Sequence, residues 1–113
     1  MNLPLTRLNE LLNCETVQQE AEAAEINGAY CSDLLSDVMA NAKEGQALIT
    51  IQSHKNTVAV AALYGAPCII ICNSRPVPQE MIKAAEEEGI AIFLSTEDQF
   101  TVSGKLYRQF FPA

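Results

Sequence analysis

The sequence predicts an α/β fold: a three-layer α/β/α sandwich around a mainly parallel sheet of four or five strands. From Ala47 onward, short apolar runs alternate with helical patterns in the order strand, helix, strand, helix, strand, helix. The runs are apolar at every position, which indicates strands covered on both faces. A chain of 113 residues with 49% hydrophobic residues has the size of one domain, so residues 1–113 are expected to form a single unit.

The first part of the chain begins with a helix and continues through a less regular region. Thr6 is placed to cap a short helix that ends near Asn13 and carries leucines at helical spacing. Residues 14–30 alternate only loosely and contain the turn dipeptide Asn27-Gly28, so one or two short strands are expected there. Ser32 and Asp33 then start a second helix, which Gly45 ends. The apolar face of this helix is expected to comprise Leu34, Leu35, Val38, Met39 and Ala42.

The rest of the chain contains three buried strands, each followed by a helix. The strands are the runs "ALITIQ", "APCIIIC" and "IAIFL". The helix "TVAVAALYG" is apolar on nearly every side, and "PVPQEMIKAAEEEG" has Pro78 in its first turn and Gly89 at its end. Thr96 and Gln99 have the spacing of a capping box that opens the last helix. The residues of that helix expected to return to the core are Phe100, Tyr107 and Phe110.

Charge and cysteine usage exclude several classes of function. Fourteen acidic and seven basic side chains give a net charge of −7, and no basic block offsets it, so neither nucleic acid nor a membrane surface is an expected partner. The apolar runs are far shorter than the roughly 20 residues of a membrane span. The N-terminus lacks the features of a secretory signal, and the four cysteines form no C-x-x-C pair, so we expect a cytoplasmic protein with reduced thiols. Cys68 and Cys72 would lie about 13 Å apart on one strand, too far to share a metal ion or a disulfide.

Several segments together resemble the DRTGG domain and the related N-terminal domain of HPr kinase/phosphorylase. They are "DLLSDVM", "LITIQSHKN", "GAPCIIICNSRPVP" and "EEEGIAIFLSTEDQF", and the resemblance runs from Asn13 to Phe110. It implies a regulatory or assembly role, commonly through dimerisation, in a stand-alone domain without the kinase domain. The "DRTGG" string itself is absent: "SHKN" occupies the first loop and "CNSRP" the second. The string "SGKL" lacks the first glycine and the final Ser or Thr of a P-loop, so no kinase activity is expected.

Three loops are expected to meet at the carboxyl edge of the sheet, where ligands of open α/β sheets bind. Helix N-termini and the cations His54, Lys55 and Arg75 would make this edge suitable for an anion. The alternative interpretation is that Ser53, Asn56 and Thr96 only cap helices. The candidate ligand-binding residues are Ser53, His54, Asn56, Asn73, Ser74, Arg75, Ser95 and Thr96.

His54 is the only histidine, and general base, phosphoacceptor and ligand donor are its possible roles. A general base or nucleophile requires partner residues that the sequence does not reveal, so no catalytic residue, metal or cofactor is assigned.

Three functions therefore remain open. The first is a non-catalytic regulatory domain that dimerises and binds a small anionic metabolite or nucleotide. The second is a phosphocarrier or small enzyme that uses His54. The third is a purely structural module that docks on a partner enzyme or signalling protein. The apolar helix "TVAVAAL" needs cover on two sides, from the N- and C-terminal helices of the chain or from a second subunit in a twofold homodimer.

Overall fold

A five-stranded sheet with helices on both faces confirms the predicted α/β sandwich. The computed structural model of the chain describes residues 1–19 and 24–112. The strands are β1 (Leu3–Pro4), β2 (Cys14–Gln18), β3 (Glu25–Ile26), β4 (Gly28–Cys31), β5 (Gln46–Thr50), β6 (Cys68–Ile71) and β7 (Ala91–Ser95). The helices are α1 (Leu8–Leu12), which follows a 3-10 turn at Leu5–Arg7, then α2 (Leu35–Asn41), α3 (Lys55–Tyr64), α4 (Gln79–Glu88) and α5 (Gln99–Phe110). None of the helices in these two ranges has the length and hydropathy of a membrane crossing.

The main sheet has the strand order β2-β7-β6-β5-β4. Strands β4 to β7 are parallel, whereas β2 runs antiparallel to β7 along one edge. β1 and β3 form a separate antiparallel pair. The stretch 14–30 thus holds three strands where one or two were expected, and residues 20–23 lie outside the described residues. Two of these strands, β2 and β4, form the outer edges of the sheet.

Alternate residues of the central strands enter two separate cores. Ile49, Ile70 and Phe93 belong to the core that includes α1 and α5. Leu48, Ile69 and Ile92 belong to the core that includes α2, α3 and α4. Because both faces are covered, strands β5 to β7 are apolar at nearly every position, as the sequence pattern predicted.

The helix starts correct three predictions. Thr6 does not cap α1, because it lies within the 3-10 turn and α1 has no side-chain cap. Ser32 and Asp33 do not begin α2, which starts at Leu35, because the Asp33 carboxylate instead bonds to the end of β5. The capping box of Thr96 and Gln99 is absent: the Asp98 side chain accepts the Thr101 N–H at 2.8 Å and caps α5.

Two helices bury a different face from the one expected. In α2 only Val38 is fully buried, and Leu34 and Met39 are exposed, because Leu34 precedes the helix and Met39 lies about 100° around its axis from Val38. In α5 the buried residues are Val102 and Leu106.

The last helix therefore turns most of its aromatic side chains outward. Phe100 and Tyr107 lie on the side of α5 opposite Val102 and are exposed, whereas Phe110 is half-buried against the core, as expected. The N- and C-terminal helices do not cover α3, which corrects one of the two alternatives: Val58 and Val60 share a core with α2 and α4, and α1 and α5 lie on the other face of the sheet. The second alternative, cover by a second subunit, stays a prediction.

Candidate functional site at the carboxyl edge of the sheet

The loops that follow β5, β6 and β7 are joined by hydrogen bonds into one surface. The Ser53 hydroxyl donates to the Pro76 carbonyl at 2.6 Å and links the first loop to the second. The Asn73 N–H donates to the Glu97 carbonyl, and the Ser74 N–H donates to the Ser95 carbonyl, each at 2.9 Å. These two bonds link the second loop to the third. The parallel order of the strands thus brings the three loops to one edge.

The loop after β6 has an uncommon backbone conformation. Asn73 (φ 61°) and Ser74 (φ 52°) are consecutive left-handed residues, and neither is glycine. Such pairs are costly and cluster at functional sites. Because both N–H groups are already bonded, the groups this loop offers to a ligand are the exposed side chains of Asn73, Ser74 and Arg75. Within the part of the chain that the structure describes, none of these three side chains takes part in a hydrogen bond.

His54 caps helix α3. Its Nδ1 accepts the Asn56 N–H at 3.2 Å, and the backbone of His54 is extended. A neutral imidazole that accepts at Nδ1 carries its hydrogen on Nε2, which leaves that nitrogen as a donor. The first loop is therefore held by His54 at the helix start, by the Ser53 bond to Pro76, and by the Thr57 hydroxyl, which donates to the Gln52 carbonyl at 2.7 Å.

The eight predicted site residues are distributed over different surroundings. Ser74 and Thr96 line one pocket of about 390 Å³ together with Asn13, Cys14, Glu15 and Leu94. Asn56 instead lines a groove of about 290 Å³ between α3 and α4, beside Lys55. Ser95 is fully buried, and its hydroxyl donates to Leu12 and accepts from the Glu97 N–H, so it holds the loop in position.

Asp33 is a central residue of this edge that the sequence pattern did not single out. One of its carboxylate oxygens accepts three hydrogen bonds, from the Thr50 hydroxyl, the Ile51 N–H and the Gln99 side chain, each at 2.9 Å. Asp33 thereby ties the ends of β4 and β5 to the start of α5. Asp33 lies two residues after the parallel strand β4, and that position would have marked it as a residue of the carboxyl edge. The sequence pattern did not identify β4 as a parallel strand, because residues 14–30 alternate only loosely between polar and apolar.

The side of this edge that lies toward α5 is acidic. Burial raises the pKa of the Cys72 thiol to about 12, and Cys31 and the carboxylates of Asp33, Asp98 and Glu97 add to the rise. One Glu97 oxygen pairs with the Lys105 ammonium at 2.6 Å, and the other is buried with no hydrogen-bond partner among the described residues. The hydrogen bond from the Thr101 backbone N–H holds the pKa of Asp98 below its ordinary value.

The cations follow the two central strands instead: Lys55 comes after β5, and Arg75 comes after β6. His54, whose Nδ1 accepts the Asn56 N–H, lies directly before Lys55 and offers its Nε2–H as a donor. Ser53 places the first loop toward α4, since its hydroxyl also lies 3.8 Å from the Met81 sulfur. Glu87 and Glu88 line the same groove as Lys55, so the cation best placed for an anion at this edge is Arg75, in the exposed loop after β6.

The sheet order, the two helical layers and the joined loops define a small α/β domain whose three loops meet at the carboxyl edge of the sheet. The family model described as the HPr Serine kinase N terminus matches residues 41–109. The chain therefore belongs to the family of HPr kinase N-terminal domains, and the predicted family resemblance is confirmed.

Two known proteins resemble parts of the chain. The HPr kinase/phosphorylase of Streptococcus uberis is 45% identical over 40 residues, which cover 35% of this chain and 13% of that protein. One solved structure with a similar fold is that of the CBS and DRTGG domains of the regulatory region of Clostridium perfringens pyrophosphatase, complexed with the activator diadenosine tetraphosphate. It superposes with a TM-score of 0.75 at 16% identity and covers 91% of this chain and 45% of the solved one. The chain thus spans less than half of either protein, and the second comparison confirms the predicted fold.

Proposed function

We propose that this domain is a non-catalytic regulatory module that binds a small anionic metabolite, and more specifically a nucleotide, at the carboxyl edge of its sheet. The observation that carries the proposal is the loop Asn73–Arg75, whose polar side chains are exposed and free of bonds within the described chain. The family supports a regulatory role. The regulatory region of the pyrophosphatase, which shares this fold, is complexed with a dinucleotide activator.

The anion is assigned to the part of the edge that carries Arg75. Arg75 offers a fork of N–H donors that suits a phosphate, and the Nε2–H of His54 adds a second donor. Ser74 and Thr96 offer hydroxyls in the adjoining pocket of about 390 Å³. The carboxylates near α5 would repel phosphates from the other side, so they would orient a nucleotide with its phosphates toward Arg75 and its uncharged part away from it.

The test is calorimetric titration of the chain with ATP, diadenosine tetraphosphate and inorganic pyrophosphate, with adenosine as the uncharged control. We expect binding of the charged compounds, and Arg75→Gln should raise their Kd about tenfold, which corresponds to the loss of one charge-assisted contact worth about 1.4 kcal/mol. Arg7→Gln is the matched control, since Arg7 is also an exposed arginine but lies in the 3-10 turn before α1. Failure of every anionic probe to bind at millimolar concentration would overturn the proposal.

Thermal shift and mass spectrometry distinguish the other two hypotheses. A ligand at 100 times its Kd adds about 2.7 kcal/mol of stability, so a purely structural module would show no thermal shift with any probe. For the phosphocarrier, incubation with phosphoryl donors would leave an acid-labile phosphate on His54 that mass spectrometry detects. Turnover of a phosphorylated metabolite that is lost in His54→Ala would contradict the non-catalytic role.

The proposal also includes a homodimer that acts on a partner enzyme or signalling protein in the cytoplasm. The four cysteines are free thiols, which is the usual state in a reducing compartment. A twofold dimer would present two anion sites, and sedimentation of the purified chain measures whether it forms.

A further inference from the structure

The pocket of about 390 Å³ that adjoins the loop of Arg75 differs in its chemistry from an anion site. Its lining consists of Asn13, Cys14, Glu15, Ser74, Leu94 and Thr96. Among these residues Glu15 alone is charged, and its charge is negative. Burial raises the pKa of the Cys14 thiol to about 11, so this thiol is neutral at physiological pH. The pocket would therefore repel a phosphate, whereas it would accept an uncharged group that carries hydroxyls.

The pocket forms because β2 runs antiparallel to its neighbour β7. Cys14, at the start of β2, pairs with Ser95, at the end of β7, so β2 begins at the edge where the parallel strands end. Ser74 reaches the same place, because its N–H donates to the Ser95 carbonyl. The segment Asn13–Glu15 thus adds a fourth part of the chain to the edge formed by the three loops.

We propose that this pocket binds the ribose of the nucleotide, with Glu15 and Asn13 recognising its 2′ and 3′ hydroxyls. The inference rests on the proposed function and names the part of the ligand that lies beside the phosphates. It predicts that the domain prefers ribonucleotides to nucleotides that lack these hydroxyls.

Glu15 is suited to accept hydrogen bonds from two adjacent hydroxyls. Its cross-strand partner is Leu94, so the two side chains share one face of the sheet and the carboxylate lies beside a half-buried apolar residue. Within the described part of the chain, the Glu15 carboxylate takes part in no hydrogen bond and no ion pair. A carboxylate has two acceptor oxygens, and acidic side chains bind ribose hydroxyls in this way in dinucleotide-binding sheets.

Asn13 supplies the complementary donor. Its amide nitrogen lies 3.5 Å from the Thr96 hydroxyl oxygen, which is a long hydrogen bond that a ligand hydroxyl would readily replace. The amide would then donate to the oxygens of the hydroxyls whose hydrogens go to Glu15. Leu94 offers an apolar surface to the carbon atoms of the sugar. An apolar surface with a few placed polar groups is typical of small-molecule sites, whose volumes begin at about 300 Å³.

Calorimetric titration of the full chain with ATP, 2′,3′-dideoxyadenosine triphosphate and inorganic tripolyphosphate tests the ribose site. ATP should bind about tenfold more tightly than the dideoxy compound. Glu15→Gln should raise the Kd of ATP about fivefold and should not raise the Kd of the other two probes, because it removes a charge that attracts hydroxyls and repels phosphates. Glu10→Gln is the matched control, since Glu10 is an exposed glutamate of α1 outside the pocket, and all three Kd values should stay unchanged.

Asn13→Gly removes the amide and keeps the backbone turn. Asn13 has φ 50°, a conformation that glycine adopts readily, so the urea unfolding midpoint should stay close to that of the native chain. The Kd of ATP should rise in this variant, while that of the dideoxy compound should not.

Three results would contradict the ribose site. Equal affinity of the native chain for ATP and the dideoxy compound would overturn it and leave the proposed anion site standing. The same factor of weakening for all three probes in Glu15→Gln would also overturn it, because the effect would not pass through the hydroxyls. If neither ATP nor tripolyphosphate binds at millimolar concentration, the proposed function fails and the ribose site fails with it.

Discussion

Replacement of Asp33 by alanine should destabilise the domain more than most changes of a partly exposed residue. The carboxylate is the acceptor for the fully buried Thr50 hydroxyl and for the Ile51 N–H, while the Gln99 side chain can turn to water. A buried donor left without an acceptor costs about 1–3 kcal/mol. Because Ile51 is only partly buried, its N–H can reach water in part, and the two donors together predict a loss of about 2–4 kcal/mol. Urea unfolding measures this free energy, and the melting temperature should fall by roughly 10 °C.

Two further variants show whether these hydrogen bonds are the cause. Asp33→Asn retains an acceptor oxygen, so its loss should be less than half that of Asp33→Ala. Thr50→Val should be costly in the native chain but nearly neutral in the Asp33→Ala background, because there it removes a hydroxyl that has lost its acceptor. A change within about 0.5 kcal/mol for Asp33→Ala would refute the reasoning, since that is the range of ordinary surface substitutions.

Three other predictions concern separate parts of the molecule. Iodoacetamide at neutral pH should alkylate the exposed Cys31 first, because burial raises the pKa of each of the other three thiols; comparable labelling of those thiols by mass spectrometry would contradict this order. The Thr101 N–H lowers the pKa of Asp98, so the stabilisation by this cap is complete above pH 3.8 and is lost as the pH falls through the lowered pKa. Asp98→Asn, which caps without titrating, should therefore unfold less steeply in acid, and superimposable acid curves would argue against the cap. Gly45→Ala should cost about 1–2 kcal/mol in urea unfolding, because Gly45 has φ +88° and a Cβ there would lie 2.3 Å from the Asn27 side-chain nitrogen; an unchanged midpoint would show that the turn adapts.

Much of the fold follows from local pattern. Strands β5, β6 and β7 contain continuous apolar runs of three or four residues, and a parallel sheet covered on both faces is the arrangement that such runs favour. β2 and β4 are edge strands, with partners on one side only, and their looser pattern did not indicate their direction or place. The place and direction of these two outer strands are therefore set by pairing with distant strands, which the local sequence pattern does not reveal.

The helix faces show a second limit of pattern reading. Phe100 and Tyr107 are large and aromatic, and a ranking by hydrophobicity assigns them to the core. The actual core positions, Val102 and Leu106, are smaller residues four apart on the opposite side of α5. Helical spacing identifies the apolar faces of a helix, but it does not say which of two such faces packs against the sheet.

The site was predictable to the extent that topology alone determines it. Parallel strands end at one edge, so the meeting of the loops after β5, β6 and β7 followed from the strand order. Asp33 was not predictable in this way, because its partner Gln99 is 66 residues away and its strand was not recognised. Whether Arg75 and His54 contact an anion stays a prediction for calorimetry.

The bond between Asp33 and Gln99 has a consequence for communication within the domain. Gln99 is the first residue of α5, so this helix contacts the carboxyl edge at its start. A change at the carboxyl edge that displaced the Asp33 carboxylate would therefore break the bond that joins the end of β5 to the first turn of the last helix.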